Sequence, residues 1–160
     1  MQLGFIGLGK MGANMVQRLL QGGHKVVVYD RSAEAVKSVE EKGAVAATSL
    51  EDLVSKLARP CGVWVMVPSG DPVEQTIKSL RPMLGKDDII IDGGNSNYKD
   101  SIRRGKELSE VGIHFMDVGT SGGIWGLKLG YCMMIGASPE AFQRFDPAFK
   151  TLAPEEGICT

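Results

Sequence analysis

The sequence predicts an α/β domain in which a mostly parallel sheet is covered by helices on both faces. Three observations support this fold class. First, segments of strand length alternate with segments of helical periodicity along the whole chain. Second, the strand segments are continuously apolar, as at residues 62–67, which is typical of strands buried on both faces. Third, the connections between the segments are short. Right-handed crossovers then predict the strand order 3-2-1-4-5-6, with ligands outside the carboxyl ends of the strands.

The predicted elements follow one another as strand and helix units, and residues 1–160 are expected to form one domain. Glycines end the first two helices, Ser49 and Ser138 are predicted N-caps, and Pro139 takes a first helical position. After residue 118 the pattern changes to a predicted long loop at residues 119–130. Strands are predicted at residues 1–6, 24–30, 44–47, 62–67, 88–92, 113–118 and 131–135, and helices at 13–20, 33–42, 49–57, 73–84, 98–111 and 139–152.

The first apolar run leads into three spaced glycines, Gly7, Gly9 and Gly12, with a helical pattern behind them. Gly7 allows a sharp turn out of the strand, Gly9 leaves room for a pyrophosphate beside the backbone, and Gly12 lets the helix pack closely. The second apolar run ends on Asp30, 18 residues after Gly12, where a carboxylate accepts hydrogen bonds from an adenosine ribose. Together they predict a Rossmann-type dinucleotide site; the alternative is that the glycines form only a tight turn.

Composition excludes several classes of partner. The net charge is −1 with 43% hydrophobic and 23% charged residues, so neither nucleic acid nor a membrane is an expected partner, and a cytoplasmic protein is predicted. The cysteines at positions 61, 132 and 159 lack metal-ligand spacing, which predicts reduced packing residues and no metal site. His24 and His114 each precede a strand pattern and are interpreted as ordinary strand-edge residues.

Three further segments lie at predicted strand ends, where ligands are expected. Val67 and Pro68 would line the adenosine side of a cleft, or would be only a buried strand end and a turn proline. Asn95 offers a donor and an acceptor in a glycine turn; alternatively it or the serine after it caps a helix. Residues 121–123, a serine and two glycines, suit a carboxylate or hydroxyl of a substrate, or else form a flexible surface loop.

These motifs resemble the β-hydroxyacid dehydrogenase superfamily. Asp92-Gly-Gly-Asn-Ser-x-Tyr98 and Ser121-Gly-Gly123 are similar to the 6-phosphogluconate dehydrogenase family, and residues 119–126 and 130–136 resemble its short bacterial branch, which often prefers NAD. The resemblance implies that Asn95, Ser121, Gly122 and Gly123 bind the sugar acid, with Asn95 and Ser121 supporting catalysis. It implies a cofactor site made of Gly7, Leu8, Gly9, Lys10, Met11, Gly12, Asp30, Arg31, Ser32, Val67, Pro68 and Asn95.

The second strand's end bears on the choice between NAD and NADP. The usual NADP-dependent members carry Asn-Arg followed by Ser or Thr, whereas this chain has Asp30-Arg31-Ser32. A carboxylate accepts from a free 2′-hydroxyl and repels a 2′-phosphate, so Asp30 favours NAD. Arg31 keeps NADP open, because a guanidinium pairs with phosphate.

The activity implied by the resemblance is oxidation of 6-phosphogluconate to ribulose 5-phosphate and CO2, a step of the pentose phosphate pathway. The family's base and acid, a lysine and a glutamate, belong to a helical domain expected after residue 160, which in the family also builds a homo-oligomer. This chain alone is therefore expected to bind nucleotide and turn over little or nothing. The alternatives are a 3-hydroxyisobutyrate-type dehydrogenase and a non-catalytic dinucleotide-binding sensor module.

Overall fold

The structure is a computed structural model that describes residues 1–155. Within them, the strands are β1 (Gln2–Ile6), β2 (Lys25–Tyr29), β3 (Val45–Ala46), β4 (Gly62–Val65), β5 (Ile89–Asp92), β6 (His114–Ser121) and β7 (Cys132–Gly136). They form one sheet in the order β3-β2-β1-β4-β5-β6-β7, in which β1 to β6 run parallel and β7 runs antiparallel to β6. The predicted order of the first six strands is confirmed, and the seventh closes one edge in the reverse direction.

The helices over the same residues begin and end close to their predicted positions. Pro72 lies in the first turn of the fourth helix, which therefore begins at Asp71, and the chain leaves α-helical geometry before Pro82. No helix within residues 1–155 is long and apolar enough to cross a membrane. The helices are α1 (Lys10–Gln21), α2 (Ala33–Glu40), α3 (Leu50–Ser55), α4 (Asp71–Leu80), α5 (Tyr98–Ser109), α6 (Gly126–Leu129) and α7 (Pro139–Leu152), with 3-10 turns at Arg81–Met83 and Gly123–Trp125.

The core has one layer on each side of the sheet. Helices α1, α2 and α7 cover one face, and α3, α4 and α5 cover the other. Strand β4 shows the alternation: Trp64 points into the first layer, while Val63 and Val65 point into the second. Trp64 is fully buried, stacks on Phe5 at a centroid distance of 6.0 Å and meets the edge of Phe149. Among the described residues its indole Nε1 has no hydrogen-bond partner.

Arg18 of α1 joins three segments that are far apart in the sequence. Its guanidinium donates to the carbonyls of Thr151 (2.8 Å), Leu127 (3.2 Å) and Ala153 (2.9 Å), so α1, α6 and the end of α7 are held together. His24 adds a contact to the same place, with Nε2 2.7 Å from Oγ1 of Thr151. His24 directly precedes β2, in line with its interpretation as a strand-edge residue, and its buried ring also bonds the strand to α7.

The predicted loop at residues 119–130 is wrong in its first part. Strand β6 continues three residues beyond position 118, and Thr120 pairs with Met133 and Ser121 with Cys132 of β7. Thr120 is buried and its neighbours are more exposed, so the strand alternation persists through small polar residues. The remainder of the segment contains a 3-10 turn and the short helix α6.

Candidate functional site

The turn after β1 has a shape that only glycines allow. Gly7 has φ +96°, and a Cβ placed on it would lie 2.2 Å from the carbonyl oxygen of Met66. A Cβ on Gly12 would lie 2.1 Å from the carbonyl oxygen of Gly7, so α1 packs directly against the turn. Both positions match the tasks predicted for the first and third glycine of a dinucleotide fingerprint.

Gly9, the middle glycine, borders open space. A Cβ on it would meet nothing within 4 Å, in contrast to its two partners. Gly9 is also the N-cap of α1 and provides no side-chain hydrogen bond to the first turn. The first amides of α1, at Lys10 and Met11, therefore border an open region at the helix terminus, where a phosphate is favoured.

Asp30 connects the end of β2 to the glycine turn. Its Oδ2 accepts from the amide of Leu8 (2.7 Å), and its Oδ1 accepts from the amide of Ser32 (2.8 Å). Ser32 in turn caps α2 by accepting from the amide of Ala35. A carboxylate offers about four acceptor positions, so two remain for the hydroxyls of a ribose. Arg31, which lies between Asp30 and Ser32 in the chain, is exposed.

A cleft of about 420 Å³ opens beside Asp30, at the carboxyl ends of β1, β2 and β4. It brings together Gly7, Asp30, Arg31, Val67 and Pro68, all of which the sequence predicts to contact the cofactor. Other lining residues were not predicted: four belong to α4, whose pattern is that of an ordinary covering helix, and four lie on or beside β1, β2, α3 and β4. These further lining residues are Ile6, Tyr29, Leu50, Met66, Pro72, Gln75, Thr76 and Ser79.

The turn after β5 is built around the buried carboxylate of Asp92. Oδ1 accepts from the amide of Gly94 (2.9 Å), and Oδ2 accepts from the hydroxyl of Ser96 (2.6 Å) and from Nη1 of Arg104 (3.3 Å). Asp92 is 0% exposed and Arg104 is 3% exposed, so this ion pair is shielded from water. A charge in such a place is stable only when paired and hydrogen-bonded, as both groups are.

Glu74 of α4 extends this ion pair toward the cleft. Its Oε2 accepts from Nε of Arg104 (2.9 Å) and from Nη2 of Arg103 (2.7 Å). Hydrogen bonds from Arg103, supported by Arg104, hold the pKa of Glu74 at about 2 despite partial burial. Helix α4, whose first turns line the cleft, is thereby linked through charged side chains to the end of β5.

Asn95 lies in the middle of the β5 turn with a left-handed backbone, φ +55°. Its Oδ1 accepts from the amide of Thr120 (3.1 Å) and its Nδ2 lies 3.4 Å from the carbonyl oxygen of Thr120. The side chain thus joins the β5 turn to the end of β6 and keeps one donor and one acceptor position unused. The alternative in which Asn95 or Ser96 caps α5 is wrong, because Asn97 is the N-cap and accepts from the amide of Lys99.

Ser121, Gly122 and Gly123 follow directly from this contact. Ser121 is the last residue of β6 and is exposed, and Gly123 begins the 3-10 turn. The alternative of a flexible surface loop does not describe Ser121, which is paired with β7. The three residues that the resemblance assigns to the substrate thus follow directly after Thr120, the residue that Asn95 contacts.

Asp117 lies opposite Asp92 in the register of β5 and β6. Burial raises the pKa of Asp117, and the nearby Asp92 carboxylate raises it further, while a hydrogen bond from Ser101 and the charge of Arg104 act in the opposite direction. Sequence reasoning missed this acid. Its place in an apolar strand pattern was the only available signal.

Two cysteines lie within the described residues, Cys61 directly before β4 and Cys132 in β7, where it pairs with Ser121. Cys61 is buried, and burial raises the pKa of its thiol, so its reactive thiolate form is disfavoured. Cys159 lies outside the described residues. Within residues 1–155 no cluster of three or more His, Cys, Asp or Glu side chains is arranged to hold a metal ion.

The geometry at the strand ends agrees with a comparison of the sequence with protein families. A model of the NAD binding domain of 6-phosphogluconate dehydrogenase matches residues 2–159. The chain belongs to this family. The family resemblance inferred from Asp92 to Tyr98 and from Ser121 to Gly123 is thereby confirmed, and the Rossmann-type fold class with it.

Individual 6-phosphogluconate dehydrogenases align along almost the whole chain. An NAD(+)-dependent, decarboxylating enzyme of Haloferax volcanii is 44% identical over 153 residues, which are 96% of this chain and 50% of that protein. The solved Plasmodium falciparum enzyme, studied with NADP+ and with 6-phosphogluconate, has a TM-score of 0.88 at 30% identity, covering 96% of this chain and 34% of that one. The chain thus spans half or less of the length of these relatives.

A 3-hydroxyisobutyrate dehydrogenase of Mycobacterium tuberculosis has a TM-score of 0.87 at 24% identity, over 95% of this chain and 52% of its own. At 24% identity, this comparison shows only that the two proteins share a fold. This second class of dehydrogenase therefore shares the architecture described above.

Proposed function

We propose that this chain is the cofactor-binding domain of a decarboxylating 6-phosphogluconate dehydrogenase that prefers NAD. The family match over residues 2–159 carries the proposal. The residues fit a dinucleotide, because Gly9 borders open space at the start of α1 and Asp30 keeps free acceptor positions beside the cleft.

The chain's own residues position the reactants. The amides at the start of α1 hold the pyrophosphate, and the Asp30 carboxylate accepts from the adenosine ribose, with Val67 and Pro68 along the cleft wall. At the other end of the edge, Asn95 and the Ser121 to Gly123 segment orient the nicotinamide and the hydroxy acid against each other. The bound cofactor supplies the hydride acceptor for oxidation at C3 of 6-phosphogluconate, after which the β-keto acid loses CO2.

The preference for NAD rests on charge at the end of β2. Asp30 is fixed by the amides of Leu8 and Ser32, so its carboxylate cannot move away from a 2′-phosphate without giving up both bonds. Arg31 is exposed and free to reach a phosphate, which is why NADP binding is weakened and not abolished in this proposal.

Calorimetric titration of the chain with NAD and with NADP at fixed ionic strength tests this. NAD is expected to bind more tightly, and Asp30→Asn should reduce the preference by about tenfold, the factor that corresponds to about 1.4 kcal/mol. Arg31→Gln is the matched control and should weaken NADP alone. Tighter binding of NADP by the parent chain would refute the NAD preference, and binding of neither nucleotide would refute the cofactor proposal.

The substrate needs a separate assay on a protein that contains this domain together with the catalytic helical domain. NAD reduction is expected with 6-phosphogluconate and not with 3-hydroxyisobutyrate. Reduction with 3-hydroxyisobutyrate instead would support the rival dehydrogenase. NAD binding without reduction by either compound would support a sensor module.

A further inference from the structure

Arg104 is a buried arginine on the second turn of α5, and none of its hydrogen bonds within residues 1–155 goes to a residue assigned to cofactor or substrate. Its Nη1 donates to Oδ2 of Asp92 and lies 3.3 Å from Oγ of Ser96, while its Nε donates to Glu74. Arginine presents its donors in a rigid planar fork, so these three contacts fix the relative positions of β5, the β5 turn and α4.

The turn held in this way has an energetically unfavourable backbone. Asn95 adopts φ +55°, a conformation that costs a non-glycine residue free energy and persists only where its surroundings enforce it. Asp92 provides that enforcement on both sides, since it accepts from the amide of Gly94 and from the hydroxyl of Ser96. Arg104 is the counter-charge of the buried Asp92 carboxylate, and a charged group without exposure to water needs such a partner.

We propose that Arg104 is a positioning residue for the nicotinamide end of the cofactor site, acting through Asp92 on the conformation of Asn95. The inference rests on the proposed function, which assigns Asn95 to the nicotinamide. Arg104 touches neither cofactor nor substrate in this proposal. Its effect is confined to the part of the ligand that Asn95 meets, and it leaves the adenosine end, which is built by the glycine turn and Asp30, unchanged.

The neighbouring Arg103 offers a matched control. Both arginines bond to Oε2 of Glu74, but Arg103 is 43% exposed and its other ion pairs are with Asp100 and Glu107 on the surface of α5. Removing either guanidinium therefore perturbs Glu74. Of the two arginines, only Arg104 is also a hydrogen-bond partner of Asp92 and Ser96, so only its removal takes a partner from them.

The experiment compares NAD with ADP-ribose, which has the same adenosine, pyrophosphate and second ribose and lacks the nicotinamide ring. In Arg104→Met, NAD affinity is expected to fall about tenfold, within the range by which residues remote from a ligand alter binding. ADP-ribose affinity should stay at the parent value. In Arg103→Met both affinities should stay at their parent values. A general loss of stability would lower the affinities for NAD and ADP-ribose together, so it does not predict a loss confined to NAD.

The outcomes separate the two proposals. If the parent chain binds neither NAD nor ADP-ribose, the proposed function fails. If the parent binds NAD and Arg104→Met either binds both ligands normally or loses both equally, the role of Arg104 fails and the proposed function stands.

If circular dichroism shows that Arg104→Met does not fold, the same two affinities are measured on Ser96→Ala instead. It removes one of the hydrogen bonds that Asp92 makes to the turn and leaves the ion pair in place. A selective loss of NAD affinity supports the inference, and unchanged NAD affinity overturns it.

Discussion

The two turns that carry the candidate site are held in place by different sets of constraints. After β1, the turn keeps its shape because Gly7 and Gly12 have no side chains, and backbone atoms of Met66 and Gly7 lie where their Cβ atoms would be. After β5, Gly93 and Gly94 are tightly packed as well, but the left-handed backbone of Asn95 lies beside a hydrogen-bonded network of Asp92, Ser96 and Arg104 that the first turn lacks. Steric constraint is indifferent to pH and salt, whereas a charged network responds to both.

The largest expected effect is at the glycine turn. Gly12→Ala should lower the free energy of unfolding by about 4 kcal/mol, because its methyl group would collide with the carbonyl oxygen of Gly7. The oxygen belongs to the backbone and the methyl group is attached directly to it, so relieving the collision requires the helix or the turn to shift. Urea denaturation followed by circular dichroism measures this.

Gly9→Ala is the matched control within the same turn. No atom lies within 4 Å of the new methyl group, so the stability should change by less than about 1 kcal/mol, the cost of a poorer N-cap. NAD binding should nevertheless be lost, because the methyl group occupies the open space beside the first amides of α1. Equal stability losses in both variants would show that the turn is not sterically determined as described.

The next largest effect concerns the charged network at the β5 turn, which the β1 turn lacks. Glu74→Gln should cost about 1 kcal/mol at pH 7, a value reduced for the partial exposure of Arg103. The pKa of Glu74 is lowered by folding from 4.5 to about 2, so its contribution is complete above pH 4.5 and is lost as the pH falls toward 2. Parent and variant should therefore converge in stability near pH 2.

Glu107→Gln controls for the loss of a surface ion pair, since Glu107 is 48% exposed and bonds to Arg103 alone among the described ion pairs. Its stability should match the parent across the same pH range. A pH-independent difference for Glu74→Gln would show that the lost contact is one of packing and not of charge.

The smallest effect concerns Asp117, opposite Asp92. Folding raises the pKa of Asp117, so the ionised carboxylate destabilises the folded state at neutral pH, and this cost disappears as the pH falls below the raised pKa. Asp117→Asn should therefore raise the melting temperature at pH 7 by about 2 °C, with Asn still able to accept from Ser101. At acidic pH the variant should match the parent. A lower melting temperature at pH 7 would contradict the assigned direction.

Sequence reasoning succeeded where the cause of a structure is local. Gly7 to Gly12, the strand before them and the start of the helix after them lie within about a dozen residues. The alternation of strand and helix patterns sets the strand order through crossover geometry. Asp30 was found for the same reason, because its place after the second apolar run is fixed by one strand length.

The charged network was missed because its partners are not local. Arg104 is 12 residues from Asp92 and 30 from Glu74, on a helix whose many polar residues indicated a solvated surface. Strand β6 was predicted too short because Gly119, Thr120 and Ser121 have no apolar pattern, and their pairing with β7 is a tertiary event. The cap of α5 moved to Asn97 because Asn95 and Ser96 are engaged with β6 and Asp92.

The placement of the two tryptophans gives the protein its own optical reporter. Trp64 is sealed beneath the β5 turn, with its indole nitrogen 2.3 Å from where a Cβ on Gly93 would stand, while Trp125 is 65% exposed just after the Ser121 to Gly123 segment. Indole emission shifts to longer wavelength in water, so the two rings emit at separable wavelengths. Reduced nicotinamide absorbs where tryptophan emits, so a ring bound at the β5 turn would quench Trp64 by energy transfer, and occupancy becomes visible without a label.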